Sequence, residues 1–301
     1  GASSTGVTIA NTFIQRMNNY GFDKPIYPIH PKADEVEGLK AYPSFADMPT
    51  PADYCYIAVG AANVPPVLAS MENRVRFAQV ISSGFAEVSH GVDLEADLVA
   101  SARKGGVRVL GPNCLGMYSP RGKVTFPVNP SKELGTVGVI SQSGGLGTDI
   151  ITRGERRGIR FSGLVTVGNS ADLGPNDLLE FYLADSATKV VGMYVEGIRD
   201  GRRLFDVLRK NNADKPVVIL KGGRTQKGLA AAASHTGSLA GDDRVWWARH
   251  LLNRVHVIER VLVAAISSCW APSWPDSCRP TSCTLVAGWW MRTPPVVAIN
   301  S

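Results

Sequence analysis

Residues 136–145 read Thr-Val-Gly-Val-Ile-Ser-Gln-Ser-Gly-Gly. The first part, 136–141, is a short apolar run of strand length, and Ser143-Gly144-Gly145 has the composition of a helix start. A strand that turns directly into a helix is half of a crossover unit, and the same alternation recurs on both sides. Downstream, strands are expected at 161–167, 190–196 and 216–221, with helices at 177–185 and 203–211. Upstream, strands are expected at 25–28, 52–59, 77–81 and 107–110, with helices at 7–20, 64–71 and 93–104. Gly21 and Gly105-Gly106 close two of these helices. A Pro/Lys/Gly-rich connection at 121–134 separates the two sets. The expected class is α/β, with two parallel-sheet domains at 1–125 and 131–256.

Composition narrows the function. The chain has 301 residues, 44% hydrophobic and 19% charged, with 31 glycines, as in globular proteins rich in tight turns. The net charge of +6 suits anionic ligands such as phosphates. No run of Lys and Arg marks a nucleic-acid footprint. No apolar stretch reaches the ~18 residues that span a membrane, and no secretory signal opens the sequence. Cys55 and Cys114 stand far apart, and Cys269, Cys278 and Cys283 lie near the end, which is neither a disulfide framework nor a zinc spacing. No metal and a reducing, cytoplasmic compartment are expected.

The two ends differ from the rest. All six tryptophans lie between Trp246 and Trp290, and the last 45 residues carry five charges. The tail, 257–301, is read as out-of-frame translation beginning between Val245 and Ile258, with an unusual extension as the alternative. At the other end, Gly1 to Gly6 is a glycine-bracketed turn of the kind that follows a buried strand, so a first strand is expected to be missing.

In open α/β sheets, ligands lie beyond the carboxyl ends of strands, where every polar loop of this chain is expected. Ser143, Gly144 and Gly145 would present helix N–H groups and a positive dipole end to an anion, with no lysine of a Walker loop nearby. Glu196 ends an apolar strand, where a carboxylate can hold one ring nitrogen of a histidine. His235 stands in Ser-His-Thr-Gly-Ser-Leu-Ala-Gly (234–241), a run of small residues that lets a ligand approach closely. Each feature alone also has an ordinary structural reading, as a tight turn, a helix start or a solvated strand end.

Taken in order, the motifs resemble a family. They are Gly-Ala-Ser-Ser (1–4), Tyr-Pro-Ile-His-Pro-Lys (27–32), Ser-Ser-Gly-Phe-Ala-Glu (82–87), Gly-Pro-Asn-Cys-Leu-Gly (111–116), Ile-Ser-Gln-Ser-Gly-Gly (140–145), Val-Glu-Gly-Ile (195–198) and the His235 loop. Over residues 1 to about 244 the chain is similar to the NDP-forming acyl-CoA synthetases, relatives of the succinyl-CoA ligase α subunit. The resemblance implies a Rossmann-like CoA-binding domain followed by a flavodoxin-like domain. Ser3, Ser4 and Thr5 would face the CoA phosphates, Lys32 its anionic groups, and Ser82, Ser83 and Gly84 its pantetheine arm. Asn113 and Cys114 would lie near the thioester, with Cys114 as a packing residue. His235 would be phosphorylated transiently, Glu196 would hold it, and Ser143 and Gly144 would bind the phosphoryl group. Thr148 stands where the ligase α subunit has a tyrosine, and Gly60 where many relatives have proline. The implied cofactors are coenzyme A and inorganic phosphate. ADP or ATP with Mg would bind only through an ATP-grasp domain or β-type subunit, which these residues lack. CoA thioesters and carboxylic acids are the implied substrates, and an oligomer the implied assembly. A non-catalytic acyl-CoA-sensing module, as in some protein acetyltransferases, stays open. A dinucleotide oxidoreductase fits less well, because the first turn lacks a full Gly-x-Gly-x-x-Gly.

Overall fold

The structure is a computed structural model and describes residues 2–4, 6–211 and 215–223, with the backbone of 255–258. In chain order it contains α1 (Ile9–Tyr20), β1 (Glu35–Val36), β2 (Leu39–Lys40), β3 (Ala52–Ile57), α2 (Val64–Ala69), β4 (Val75–Val80), α3 (Val92–Gly105) and β5 (Arg108–Leu110). There follow β6 (Met117–Tyr118), β7 (Val137–Ser141), α4 (Gly144–Glu155), β8 (Phe161–Thr166), α5 (Pro175–Ala184), β9 (Val190–Val195), α6 (Gly201–Lys210), β10 (Val217–Lys221) and β11 (Val255–Ile258).

The first lobe packs α2 and α3 against the parallel sheet β3-β4-β5. Its core is Leu68, Met71, Ala78, Val80, Phe85, Leu98 and Val109, all buried. Thr8 caps α1 by accepting the Asn11 N–H at 3.3 Å, and Gly21 ends the helix at φ 91°. Asp93 and Glu95 in the first turn of α3, with Arg103 and Lys104 in its last, match the helix dipole. One expected strand is absent. Residues 25–28 form no ladder, and the only pairing nearby is a parallel bridge between Ile29 and Tyr42. Pro25 and Pro28 have no N–H to donate, so the segment makes just the bonds that flank them: Tyr42 N–H to Pro28 C=O and His30 N–H to Tyr42 C=O, both 2.9 Å.

The second lobe is a six-stranded sheet in the order β11-β10-β9-β7-β8-β6, parallel except for β6. Counted from β7, its parallel strands run 2-1-3-4-5, the flavodoxin order, with the topological switch point between β7 and β9. Every residue of β7 is buried, as the central strand of a covered parallel sheet requires. Tyr182 packs against it, so that a Cβ at Gly138 would meet the tyrosine ring at 2.6 Å.

The lobes share strands. β6 leaves the first lobe to pair with β8. In return, residues after β8 run beside β5. Asn169 N–H donates to Pro112 C=O (3.1 Å), Ala171 to Gly111 (2.9 Å) and Leu173 to Val109 (3.0 Å). The Arg108 guanidinium holds Asp172 through two nitrogens at 2.9 Å, and Asp172 Oδ2 also accepts the Val109 N–H at 2.8 Å. The half-exposed ion pair contributes little alone. The acceptor for a backbone N–H contributes more. Asp172→Ala is therefore expected to cost about 1–3 kcal/mol in urea unfolding, with Asp172→Asn recovering part of it. Equal losses in the two variants would mean that charge, not the backbone bond, carries the contact.

Candidate active site

The carboxyl ends of β4, β5 and β7 converge on a cavity of about 190 Å³ lined by Ile81, Asn113, Cys114, Leu115, Gln142, Gly144 and Gly145. After β5 the chain turns through a cis Gly111–Pro112 bond and sets Asn113 in the left-handed region at φ 55°. Asn113 N–H then donates to Ser82 C=O (2.9 Å) and Cys114 N–H to Val80 C=O (3.2 Å), which lays the loop over the end of β4. Thr166 fixes the far side: its hydroxyl accepts the Gly116 N–H at 2.8 Å, and the Cys114 thiol donates to its carbonyl at 2.8 Å.

Burial pushes the Cys114 thiol from its ordinary 9.0 to about 11, against the pull of the Thr166 hydrogen bond. A protonated, buried thiol is a packing residue and not a nucleophile. Iodoacetamide at pH 8 is expected to leave Cys114 unmodified in folded protein and to label it in urea, read by peptide mass. The pH dependence has the same origin. Stability drawn from the neutral thiol is full below about pH 9. It is lost as pH climbs toward 11, because only the unfolded chain ionises in between.

Ser143 caps α4, its Oγ accepting the Leu146 N–H at 3.3 Å, while Ser141 Oγ donates to the Ser143 carbonyl at 2.6 Å. The helix therefore opens onto the cavity through Gly144 and Gly145. Between the two serines, Gln142 is 2% exposed. Its Oε1 accepts the Glu196 N–H and, at 3.0 Å, the Gly197 N–H, and its own N–H donates to Tyr194 C=O at 3.0 Å. The switch point is thus bridged from β7 to β9.

Glu196 is 3% exposed. Tyr194 donates its hydroxyl to Glu196 Oε1 at 3.0 Å. Burial, then the Glu196 carboxylate, push the Tyr194 hydroxyl well above the ordinary tyrosine range, so it stays a donor. The buried Lys221, at the end of β10, donates from Nζ to the Glu196 carbonyl at 2.8 Å and to the Gly222 carbonyl at 2.5 Å. Tyr194 thus holds the carboxylate, while Gln142 and Lys221 fix the backbone that carries it.

A second polar network joins the lobes beside this site. Asn169 Nδ2 donates to Glu87 at 2.6 Å and to Glu95 at 2.9 Å, and Arg199 pairs with Glu95 at 3.0 Å. Burial works to raise the Glu87 carboxyl, but donors from Asn169, Gly84 and Phe85 overcome it and hold it below 4.5. The Gly84 N–H, read from sequence as a ligand contact, therefore already meets a carboxylate of its own loop.

Asn113, Gly144 and Gly145 share the cavity, Glu196 is joined to it through Gln142, and Ser82 lies one hydrogen bond behind Asn113. Ser82 Oγ donates to the Val59 carbonyl, and Ser83 is exposed. Ser3, Ser4 and Lys32 do not line the cavity. Ser3 belongs to a separate cluster, with its N–H and C=O both held by the Asn11 amide at 2.8 Å and Asn11 also donating to Glu37 at 2.8 Å. Lys32 is exposed. His235 and Thr5 lie outside the described residues. Sequence reasoning missed the roles of Gln142, Tyr194, Lys221, Asn169 and Arg199. Only Lys221, a charge closing an apolar run, gives a local signal.

Two family models match the chain: the CoA binding domain over residues 1–120 and the succinyl-CoA ligase like flavodoxin domain over residues 134–261. The α subunit of acetate–CoA ligase (ADP-forming) I from Pyrococcus furiosus is 39% identical over 253 residues, covering 82% of this chain and 55% of that protein. The 4-hydroxybutyrate–CoA ligase (ADP-forming) of Nitrosopumilus maritimus is 33% identical over 254 residues, covering 82% of this chain and 36% of that one. The dinucleotide forming acetyl-coenzyme A synthetase 1 of Ca. Korarchaeum cryptofilum, solved in complex with phosphate and ADP, superposes with a TM-score of 0.78. It shows 38% identity and covers 87% of this chain and 57% of that one. The chain thus spans about half the length, or less, of these relatives. Among the described residues no helix is long and apolar enough to cross a membrane. With a CoA binding domain followed by a succinyl-CoA ligase like flavodoxin domain, the chain belongs to the NDP-forming acyl-CoA synthetase family.

Proposed function

We propose that this chain carries the CoA-binding and phosphohistidine part of a cytoplasmic, oligomeric NDP-forming acyl-CoA synthetase, an acid–thiol ligase. The reversible reaction converts acyl-CoA, phosphate and a nucleoside diphosphate into free acid, CoA and the triphosphate. Phosphate oxygen attacks the thioester carbonyl, the C–S bond breaks, and CoA leaves as its thiol after taking a proton. The acyl phosphate then gives its phosphoryl group to a ring nitrogen of His235, and the carboxylate leaves. Transfer onward to a Mg-bound diphosphate needs an ATP-grasp domain, on a partner subunit or elsewhere in the protein.

The observation that carries this reading is Glu196, buried at the switch point and held by Gln142, Tyr194 and Lys221 beside the start of α4. A carboxylate so fixed accepts one imidazole N–H, sets the tautomer and leaves the other nitrogen as the nucleophile. The first N–H groups of α4, at Gly144 and Gly145 behind the Ser143 cap, supply a preorganised cradle for the transferring phosphoryl group. Ser3, Ser4, Thr5 and Lys32 serve the CoA phosphates, and Ser82, Ser83, Gly84 and Asn113 its pantetheine arm and thioester. We take the two domains to run over 1–125 and 131–256.

The test is acid-labile labelling of the full chain with radioactive phosphate and acyl-CoA. Label dependent on acyl-CoA and absent from His235→Ala is expected. Folded protein that binds CoA yet takes no label, even with an ATP-grasp partner added, would favour the sensing module instead.

A further inference from the structure

Asn169 stands in the connection between β8 and α5 and is 2% exposed. Every polar group it has is engaged. Its backbone N–H donates to the Pro112 carbonyl at 3.1 Å, and its carbonyl accepts from the Arg199 guanidinium at 3.3 Å. Its side chain donates from Nδ2 to Glu87 at 2.6 Å and to Glu95 at 2.9 Å, while Oδ1 accepts from Asn113 Nδ2 at 3.4 Å. Two carboxylates at one end of the amide require the NH2 group at that end. Four of the five partners belong to the first lobe, on the 111–116 loop, the 82–87 loop and α3. The turn that delivers this side chain is itself unusual. Gly168 at φ 49° and Ser170 at φ 56° flank it, and the left-handed region is costly for serine.

The side-chain bonds reach the loops of the first lobe that border the cavity. Asn113 lines it. The bond to Asn169 sets the rotation of the Asn113 amide, and so decides which of its ends the cavity meets. Glu87 in turn accepts the Gly84 N–H and, at 3.2 Å, the Phe85 N–H, so holding Glu87 holds the 82–87 loop. The same bridge brings two carboxylates to one nitrogen, where only a donor between them offsets their repulsion.

We propose that Asn169 is a positioning residue for CoA: from the second lobe it sets the Asn113 amide and the 82–87 loop against the ligand. The proposal rests on the synthetase reading and adds to it a residue that acts through others. Its chemistry is that of an amide. Aspartate has the same shape and can accept from Asn113, but while ionised it cannot donate to Glu87 or Glu95.

Calorimetry of the full chain with CoA tests this, because it reads the number of binding sites and their affinity separately. At about pH 8, Asn169→Asp is expected to raise the Kd of the folded protein by about tenfold or more. The charged groups facing position 169 are Glu87, Glu95 and Arg199. The two carboxylates favour protonation of the new one, which can then donate again. The ratio of variant to wild-type Kd is therefore expected to fall by about threefold or more between about pH 8 and about pH 5.5. Adding Glu87→Gln to Asn169→Asp reverses the bond, since the amide at 87 donates to the carboxylate at 169 and its oxygen still accepts from Gly84 and Phe85. That pair is expected to return to within about threefold of wild type at about pH 8. Asn169→Ser adds no charge and carries the test should the aspartate variant fail to fold. It is expected to weaken CoA by a similar factor, with a ratio to wild type that does not change over the same pH range. Wild-type Kd in folded Asn169→Asp or Asn169→Ser, with fewer binding sites as the only change, would make Asn169 a structural residue and overturn the proposal. So would a loss in Asn169→Asp that neither low pH nor Glu87→Gln restores. Failure of folded wild type to bind CoA overturns the synthetase reading itself.

Discussion

Glu196→Gln is expected to lower acyl-CoA-dependent phosphorylation of His235 by about 10²-fold or more while leaving CoA affinity within about twofold. The variant keeps the shape of the side chain and an oxygen that can accept from the Tyr194 hydroxyl, now 3.0 Å from Glu196 Oε1. It keeps the backbone bonds to Gln142 and Lys221, which do not involve the carboxylate. What it loses is negative charge. Without that charge the imidazolium character that the proposed nucleophile His235 would gain in attacking phosphorus loses its counter-charge, and the amide can present an N–H that favours the wrong tautomer. A neutral amide is no harder to bury than a carboxylate, so the melting temperature is expected to hold. The decisive readout is rapid-quench formation of acid-labile phosphate. Labelling at the wild-type rate would remove Glu196 from the mechanism and leave it a strand-end support.

Gly168→Ala is expected to destabilise the fold by about 2–4 kcal/mol, with loss of acyl-CoA affinity in what remains folded. Gly168 has φ 49°, and a Cβ there would lie 2.2 Å from the Pro112 carbonyl and 2.3 Å from the Asn113 carbonyl. Both obstacles are backbone, so neither can swing aside. Relief requires moving the 111–116 loop, which carries Asn113, Cys114 and Leu115 into the cavity. Gly158 is the control. It has φ 78° but nothing within 4 Å of a Cβ, so Gly158→Ala meets only the left-handed penalty of roughly 1–2 kcal/mol. The difference between the two variants in urea unfolding isolates the steric part. Equal losses would show that backbone conformation alone governs Gly168.

The legible parts of the sequence are those where burial and local chemistry agree. The strands at 137–141, 161–166 and 190–195 stand out because covered parallel strands are continuous apolar runs. The helices between them carry their own caps. The segment at 25–28 misleads because its apolar residues suggest a strand while its two prolines forbid the ladder. Ser143, Gly144 and Gly145 are legible as a helix start, and the structure sets two of them on a cavity with Asn113. Gln142 is not legible as a clamp. Its partners are the amides at 196 and 197, and knowing that β9 lies next to β7 requires the strand order. Tyr194 is hidden for the same reason, and Lys221, though visible as a charge closing an apolar run, shows no partner, since alternation along one strand does not say what stands beside its end. The two-residue strand β6 and the run beside β5 have no periodicity to detect.

The exchange of segments between the lobes bears on how this protein can move. β6 adds an edge to the second sheet and the run after β8 bonds along β5, so backbone hydrogen bonds, and not side-chain contacts alone, cross the boundary between the lobes. A clamshell enzyme opens by swinging two rigid halves about a few loop residues. Here that swing would break a row of backbone hydrogen bonds and unpair Arg108 from Asp172. Any opening of the cavity is thereby left to side chains and to the loops at its mouth. A cut within residues 121–134 would leave the halves clasped around the same cavity.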